Sequence, residues 1–141
     1  MNYLLDTCVL SELRKPAPDK NLVEWTEKVD DSHLFISVIV LGEIQKGIAR
    51  LSDSKKKQSL QIWLEQDLTD RFYGRILPVD AQVALEWGLL LGDFSRKGKS
   101  IPVIDGLLAA TAICYHCTLV TRNTQDFAFD AIKVLDPWNL K

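Results

Sequence analysis

The chain has 141 residues, of which 47% are hydrophobic, and its 17 basic and 19 acidic side chains give a net charge of −2. This length predicts a single domain over residues 1–141 with enough apolar side chains for one core. The near-neutral charge argues against a protein that binds nucleic acid by bulk positive charge, although it is compatible with a nuclease that has a local basic rim.

The sequence also bears on location. It contains no signal peptide and no apolar run that approaches the roughly 20 residues of a membrane span. Its three cysteines are too few, and odd in number, for a disulfide framework. We therefore expect a cytoplasmic protein in a reducing compartment, with no contact to a membrane.

The first quarter of the chain predicts two short strands with a helical segment between them. Residues 3–5 and 34–36 are apolar runs of the length of a buried strand. Between them, Pro16 and Pro18 end a short helical turn, and Asp19 is placed to cap the helix that follows.

Two helices are predicted next. Ser37 is a suitable N-cap for a helix that reaches about Leu51, and a further helix covers about 54–68. Both helices carry apolar residues at helical spacing, which predicts an apolar stripe on each.

The second half of the chain predicts three more strands and two more helices. The predicted strands cover 75–79, 118–121 and 131–135. Asp80 is placed to cap a helix that ends at Gly98, and an Ala-rich helix covers 104–117. Short strands that alternate with longer helices predict an α/β fold, in which a parallel sheet is covered on both faces.

Four acidic residues stand near the predicted carboxyl ends of these strands, where ligands of parallel sheets bind. Asp6 directly follows the first strand, and Asp126 lies shortly after the fourth. Glu43 borders the apolar stripe of the helix after the second strand. Asp105 shares the apolar face of its helix.

Each acid also has a purely structural explanation. Asp6 and Asp105 are suitable helix N-caps, Glu43 fits a solvated helix surface, and Asp126 fits an Asx-turn. Together they favour a cation site, because converging carboxylates repel one another unless a cation lies between them. Mg²⁺ and Mn²⁺ prefer oxygen ligands and can activate water against a phosphodiester.

Four segments of the chain carry a resemblance to a known family. They are YLLDTCVLSEL at residues 3–13, ISVIVLGEIQKGI at 36–48, IPVIDGLLAATA at 101–112 and LVTRNTQDF at 119–127. In this order they resemble the four sequence blocks of PIN-domain nucleases, and most of all those of VapC-type toxins of toxin–antitoxin pairs.

The resemblance implies a three-layer α/β/α fold with a short central parallel sheet. It implies that Asp6, Glu43, Asp105 and Asp126 bind Mg²⁺, with Mn²⁺ as a substitute, and that the protein cleaves RNA. It also implies a homodimer that a cognate antitoxin inhibits, with the pair able to bind operator DNA. The apolar stripes of helices 37–51 and 54–68 would form the groove for the antitoxin, or would simply be core.

Further residues are expected around these acids. Thr7 and Ser37 either orient a carboxylate or a bound water, or only cap helices. Thr121 and Asn123 are candidates to share the corner of the fourth acid. The residues expected to contact RNA phosphates are Arg122, Arg96, Lys97 and Lys99.

Other interpretations remain open at this point. The alternatives are a free-standing PIN nuclease of RNA processing and a PIN binding module without activity. A phospho-acceptor receiver domain shares the α/β fold, but the residues before Asp6 lack the paired acids that such domains use. Cys114 and Cys117 form a C-x-x-C pair near a predicted helix C-terminus, where the dipole disfavours a thiolate, so we interpret them as core residues.

Overall fold

The computed structural model describes residues 1–140. Its sheet has five parallel strands in the order β3-β2-β1-β4-β5. The strands are β1 (Asn2–Leu5), β2 (Leu34–Ser37), β3 (Ile76–Leu77), β4 (Cys117–Val120) and β5 (Val134–Leu135). The predicted parallel α/β fold is confirmed.

Helices follow the strands and cover the sheet. They are α1 (Thr7–Leu13), α2 (Lys20–Lys28), α3 (Val38–Ala49), α4 (Lys55–Ile62), α5 (Thr69–Arg71), α6 (Ala81–Arg96) and α7 (Val103–Cys114). Leu4 and Leu5 are neighbours in β1 and are both 0% exposed. Because successive strand side chains point to opposite faces, both faces of the sheet are covered, as a three-layer fold requires.

The helices begin where the sequence predicts. The expected N-caps Asp19, Ser37 and Asp80 each accept a hydrogen bond from a backbone N–H of the first helical turn, at 3.0, 3.0 and 2.9 Å. Each cap satisfies a donor that would otherwise have no partner within the helix. Local side-chain chemistry therefore fixes these boundaries.

Three predicted boundaries are wrong in detail. The predicted helix 54–68 consists of α4 and a π-helical segment, Trp63–Leu68, which continues into α5. Cys117 begins β4 instead of ending α7, because His116 takes a left-handed conformation with φ of 55° and breaks the helix. The strands predicted over 75–79 and 131–135 shrink to two residues each, which are the residues that pair with the neighbouring strand.

The sheet brings the carboxyl ends of its central strands to one edge. The backbone N–H of Asp6 donates to Val120 O at 2.9 Å, and that of Thr121 donates to Leu135 O at 3.0 Å, so the ladder continues past the ends of β1 and β4. Asp6, Ser37 and Thr121 therefore follow three neighbouring strands at the same edge. Within residues 1–140, no helix has the length and apolarity needed to cross a membrane.

Candidate active site

Asp6 stands at the centre of this edge with its carboxylate held on both oxygens. The side chain is buried, with 8% exposed. Its Oδ1 accepts the backbone N–H of Thr7 at 2.7 Å, which caps α1, and its Oδ2 accepts the Thr121 hydroxyl at 2.8 Å. The capping role considered for Asp6 is therefore real, and it leaves further lone pairs of the carboxylate available to a ligand.

Glu43 is joined to Asp6 through a single residue. The Thr7 hydroxyl donates to Glu43 Oε1 at 2.7 Å, while the backbone N–H of the same residue donates to Asp6. Glu43 is half-buried, so it is not the freely solvated helix residue of the alternative interpretation. Thr7 thus sets the position of one carboxylate relative to the other.

Asp105 lies in the first turn of α7 but does not cap the helix. The N-cap residue is Pro102, and no side chain caps this end. The pKa of the Asp105 carboxyl is raised, first by burial and then by the negative charges of Asp126, Asp6 and Glu43. The four predicted acids therefore lie close enough for their charges to act on one another.

The fourth corner is more open. Asp126 is exposed in the short 3₁₀ helix Thr124–Phe127, and its backbone N–H donates to Asn123 O at 3.1 Å. The backbone N–H of Asn123 donates to the Thr121 hydroxyl at 3.1 Å. Thr121 therefore connects Asp6 to this corner, and Asn123 contributes its backbone to the connection.

Ser37 has a different role from Thr7 and Thr121. It is fully buried, and its hydroxyl accepts the backbone N–H of Ile39 at 3.0 Å. Among residues 1–140, it makes no hydrogen bond to any of the four acids. Of the two roles that the sequence left open for Ser37, the structure shows helix capping.

The predicted basic residues lie on the surface with different partners. Arg96 pairs with Asp93 at 2.6 Å, Lys97 Nζ lies 5.9 Å from the centre of the Phe94 ring, and Lys99 is exposed. The Arg122 guanidinium stacks 5.5 Å from the centre of the Trp138 ring. Lys97 and Arg122 are exposed and form no salt bridge within residues 1–140, although the positive charge of Arg122 acts on the nearby Glu12 carboxylate.

Sequence reasoning missed one side chain at the centre of the site. The Cys8 thiol lies 3.9 Å from Asp6 Oδ2 and 3.6 Å from the Thr121 hydroxyl. Burial raises the pKa of this thiol, and the negative charge of Asp6 adds to the effect. Cys8 therefore packs against Asp6 as a neutral thiol; only its position two residues after Asp6 could have indicated this.

Two recesses flank the acids and share no lining residue. A groove of about 520 Å³ begins at Thr7 and Glu43 and runs between α1, α3 and α4. Its apolar walls include Ile44, Ile48, Leu51, Leu60 and Trp63. A smaller pocket of about 270 Å³ opens beside Asp105 and Asp126. The predicted apolar stripes therefore line a groove that ends at the acids.

The donor chemistry of the site fits a hard divalent cation. All four predicted acids offer oxygen ligands, which Mg²⁺ and Mn²⁺ prefer. Within the described residues, no three His, Cys, Asp or Glu side chains are grouped so that they could hold a metal ion together. This spacing suits an ion such as Mg²⁺, which usually keeps several waters and binds one or two carboxylates. A cation there would also relieve the repulsion that raises the pKa of Asp105.

Comparisons with known proteins agree with this arrangement. The sequence matches the family described as PIN domain over residues 3–134. Toxin FitB of Neisseria gonorrhoeae is 37% identical over 96% of this chain and 98% of its own length. VapC ribonuclease Y4jK of Sinorhizobium fredii is 31% identical over 96% of this chain and 96% of its own length.

The solved structures agree as well. The structure of FitAB bound to a DNA fragment contains a chain with a TM-score of 0.90 and 36% identity, and the match covers 99% of this chain and 97% of that one. The predicted resemblance to PIN-domain proteins, with relatives that carry the VapC name, is confirmed. The chain belongs to the PIN domain family.

Proposed function

We propose that this protein is an Mg²⁺-dependent endoribonuclease that acts as the toxin of a toxin–antitoxin pair. The observation that carries the proposal is the acidic cluster at the carboxyl edge of the sheet. There, Thr7 joins Asp6 to Glu43, and burial, followed by the negative charges of the other acids, raises the pKa of Asp105. The names of two relatives, a VapC ribonuclease and toxin FitB, support RNA as the substrate and a toxin as the role.

In this proposal, Asp6, Glu43, Asp105 and Asp126 surround the metal, one or two of them would bind it directly and the others through water, and Mn²⁺ can replace Mg²⁺. A bound cation would neutralise charge on the phosphate and would lower the pKa of the water molecule that it binds. Water attacks the phosphorus in line, a carboxylate of the site accepts the proton that this water loses, and the 3′ oxygen of the RNA leaves.

The protein must also hold an anionic strand over a cluster of acids. Arg122, Lys97 and Lys99 supply exposed positive charge near the two blocks that carry Asp105 and Asp126. Arg96 is already paired with Asp93, so its contribution to phosphate binding is expected to be smaller.

The partners follow from the same family. The groove that ends at Glu43 is our candidate site for a cognate antitoxin, because an amphipathic helix can place its apolar face there. The FitAB complex on DNA supports a hetero-oligomer on operator DNA.

We also propose a homodimer, a single domain over residues 1–141 and a cytoplasmic location. The free thiols of Cys8, Cys114 and Cys117 support a reducing compartment.

Asparagine variants of the acids test the activity. Asp6→Asn and Asp105→Asn should reduce Mg²⁺-dependent cleavage of RNA to background, because an amide cannot supply the negative charge that holds a cation. The Asp6→Asn variant should stay folded, since its amide oxygen can still accept the Thr7 N–H. Cleavage is measured on labelled RNA with added Mg²⁺, with Mn²⁺ and with a chelator.

Asp53→Asn is the matched control, because the Asp53 side chain is fully exposed and its ion pair is with Lys57 and not with groups of the site. Its cleavage rate should equal that of the original protein. Full activity in purified, folded Asp6→Asn or Asp105→Asn protein would contradict the proposal, as would cleavage that is unaffected by the chelator.

A further inference from the structure

The smaller of the two recesses combines apolar walls with unpaired polar groups. The pocket of about 270 Å³ lies beside Asp105 and Asp126, and its other walls come from α6, the loop before α7 and the segment after β4. Its key lining residues are Phe94, Ser100, Ile101, Pro102, Gln125 and Phe129. The rings of Phe94 and Phe129 meet edge to face, with their centres 5.0 Å apart.

Two polar side chains of the pocket have no hydrogen-bond partner among residues 1–140. Gln125 is exposed, and its side-chain amide makes no hydrogen bond to residues 1–140; the same holds for the Ser100 hydroxyl. An amide offers one acceptor and two donors at its tip. A ligand that satisfies it must present hydrogen-bonding groups at an edge and a flat apolar face to one of the two perpendicular phenyl rings.

A nucleobase has this combination of a flat aromatic face and a hydrogen-bonding edge. Proteins that recognise single-stranded RNA stack unpaired bases on aromatic side chains and contact the base edges with polar groups. The pocket of about 270 Å³ is smaller than the roughly 300–1,000 Å³ of sites for drug-sized ligands, so it suits a single base.

The pocket also lies at the correct place along an RNA chain. It shares Asp105 and Asp126 with the acidic cluster, and Lys97 Nζ lies 5.9 Å from the centre of the Phe94 ring. A base seated there belongs to a nucleotide whose phosphate lies at the acids. The antitoxin groove opens on the Thr7 and Glu43 side, so both recesses can serve separate ligands.

We propose that this pocket binds one unpaired base next to the scissile phosphate, stacked on the ring of Phe129, in edge-to-face contact with Phe94 and hydrogen-bonded by Gln125. The inference rests on the proposed function and adds a base-recognition pocket, which requires an RNA in which this base is turned out of any stack. Stacking also supplies affinity that a chain with a net charge of −2 cannot obtain from bulk electrostatics.

Base preference gives the first test. The cleavage site in a single-stranded RNA is mapped first. Cleavage rates are then compared for four RNAs that differ only in the base on one side of this site. The comparison is repeated for four RNAs that differ only in the base on its other side. Gln125→Glu replaces an amide by a group that only accepts hydrogen bonds. Its preference should shift toward guanine, which presents two adjacent donors, by about tenfold relative to the original protein.

The comparison is designed to remove the effect of the added charge. Each preference is a ratio of rates within one variant, so a uniform loss of activity cancels. Gln66→Glu adds the same charge at an exposed position in the Trp63–Leu68 segment and should leave the ratios unchanged.

Binding gives the second test and does not require activity. In an Asp6→Asn background, the affinity for a fluorescent single-stranded RNA is measured by anisotropy, and folding is checked by thermal melting. Phe129→Leu should weaken binding about fivefold to a hundredfold, which is the range for loss of one base stack. Tyr73→Leu removes an aromatic side chain that is 85% exposed elsewhere and should have no effect.

The outcomes separate this inference from the proposed function. If the original protein cleaves RNA but Gln125→Glu keeps its base ratios, the pocket does not read a base and the inference is wrong. Equal cleavage of a fully paired duplex and of the single strand would overturn it too, as would Phe129→Leu weakening only the binding of a partner protein. A protein that cleaves no RNA at all would overturn the proposed function itself.

Discussion

Thr121 orients the carboxylate of Asp6 at the centre of the site. Its hydroxyl donates to Asp6 Oδ2 and accepts the backbone N–H of Asn123, so it links the first and fourth sequence blocks. It is fully buried, and water cannot replace its hydrogen bonds without displacing other groups. We therefore regard Thr121 as a positioning residue for Asp6.

Thr121→Val should weaken metal-dependent cleavage by about tenfold to a hundredfold, the usual range for a residue that orients a metal-binding side chain. The loss should appear mainly as a higher Mg²⁺ concentration at half-maximal rate, because Asp6 would no longer be held in its binding orientation. The measurement is a Mg²⁺ titration of the cleavage rate.

Thr118→Val provides the matched control for this change. Thr118 lies in the same strand and is also buried, but its hydroxyl contacts the sulfur of Met1 instead of an acid. Its Mg²⁺ titration should match that of the original protein. Identical titrations for Thr121→Val and the original protein would show that Asp6 does not depend on Thr121.

The sequence could predict the acids of the site but not all of their connections. Helix caps such as Ser37 depend on neighbours within a few residues, so their role is readable from local pattern. The hydrogen bond of Thr121 to Asp6 joins residues that are 115 positions apart, and only the parallel pairing of β1 with β4 brings them together. The proximity of the Cys8 thiol to Thr121 depends on the same pairing.

At the level of elements, the contact between α6 and α7 sets the position of Asp105. Gly106 follows Asp105 in α7, and a Cβ atom at Gly106 would lie 3.0 Å from both Cδ1 and Nε1 of Trp87 in α6. The indole therefore packs directly on the backbone of the turn that carries Asp105. Only glycine allows this approach without a shift of the helix or of the ring.

Gly106→Ala should cost about 1–3 kcal/mol in packing, the typical cost of forcing atoms into a packed contact. The gain in helix propensity, about 1 kcal/mol for alanine over glycine, offsets part of this cost, so the expected net destabilisation is up to about 2 kcal/mol. The free energy of unfolding is measured in urea, and cleavage should fall as well because the turn that carries Asp105 shifts.

Gly42→Ala in α3 measures the effect of helix propensity alone. A Cβ atom at Gly42 would have no neighbour within 4 Å, so this change should be neutral or stabilising by up to about 1 kcal/mol. If Gly106→Ala were to stabilise the protein as Gly42→Ala does, the contact with Trp87 would not constrain α7.

Element types were more predictable from sequence than element details. The alternation of apolar runs with helical periods indicated the order of strands and helices, because both patterns are local. The π-helical segment Trp63–Leu68 was not predictable, since its pattern of apolar residues also fits an α-helix. It buries Leu64 and Leu68 through tertiary packing, and this packing is not encoded in the spacing alone.

At the scale of the whole molecule, one helix face has no partner within the chain. Leu85 and Leu89 lie one turn apart on α6 and are 72% and 63% exposed. Gly88 and Gly92 are exposed on the same helix and leave open space around their backbone. An apolar face with small residues permits the close approach of a second helix, which supports the proposed homodimer.

Leu85→Glu should therefore convert the homodimer into monomers, because a carboxylate would have to be buried without a partner at the interface. Loss of one central apolar contact and burial of one charge together are expected to weaken association by about thirtyfold or more. Sedimentation velocity over a concentration series measures the change. Tyr73→Glu, at another highly exposed side chain, should leave the dimer intact. A Leu85→Glu protein that sediments as the original does would place the dimer interface elsewhere, since an exposed leucine outside the interface tolerates a charge.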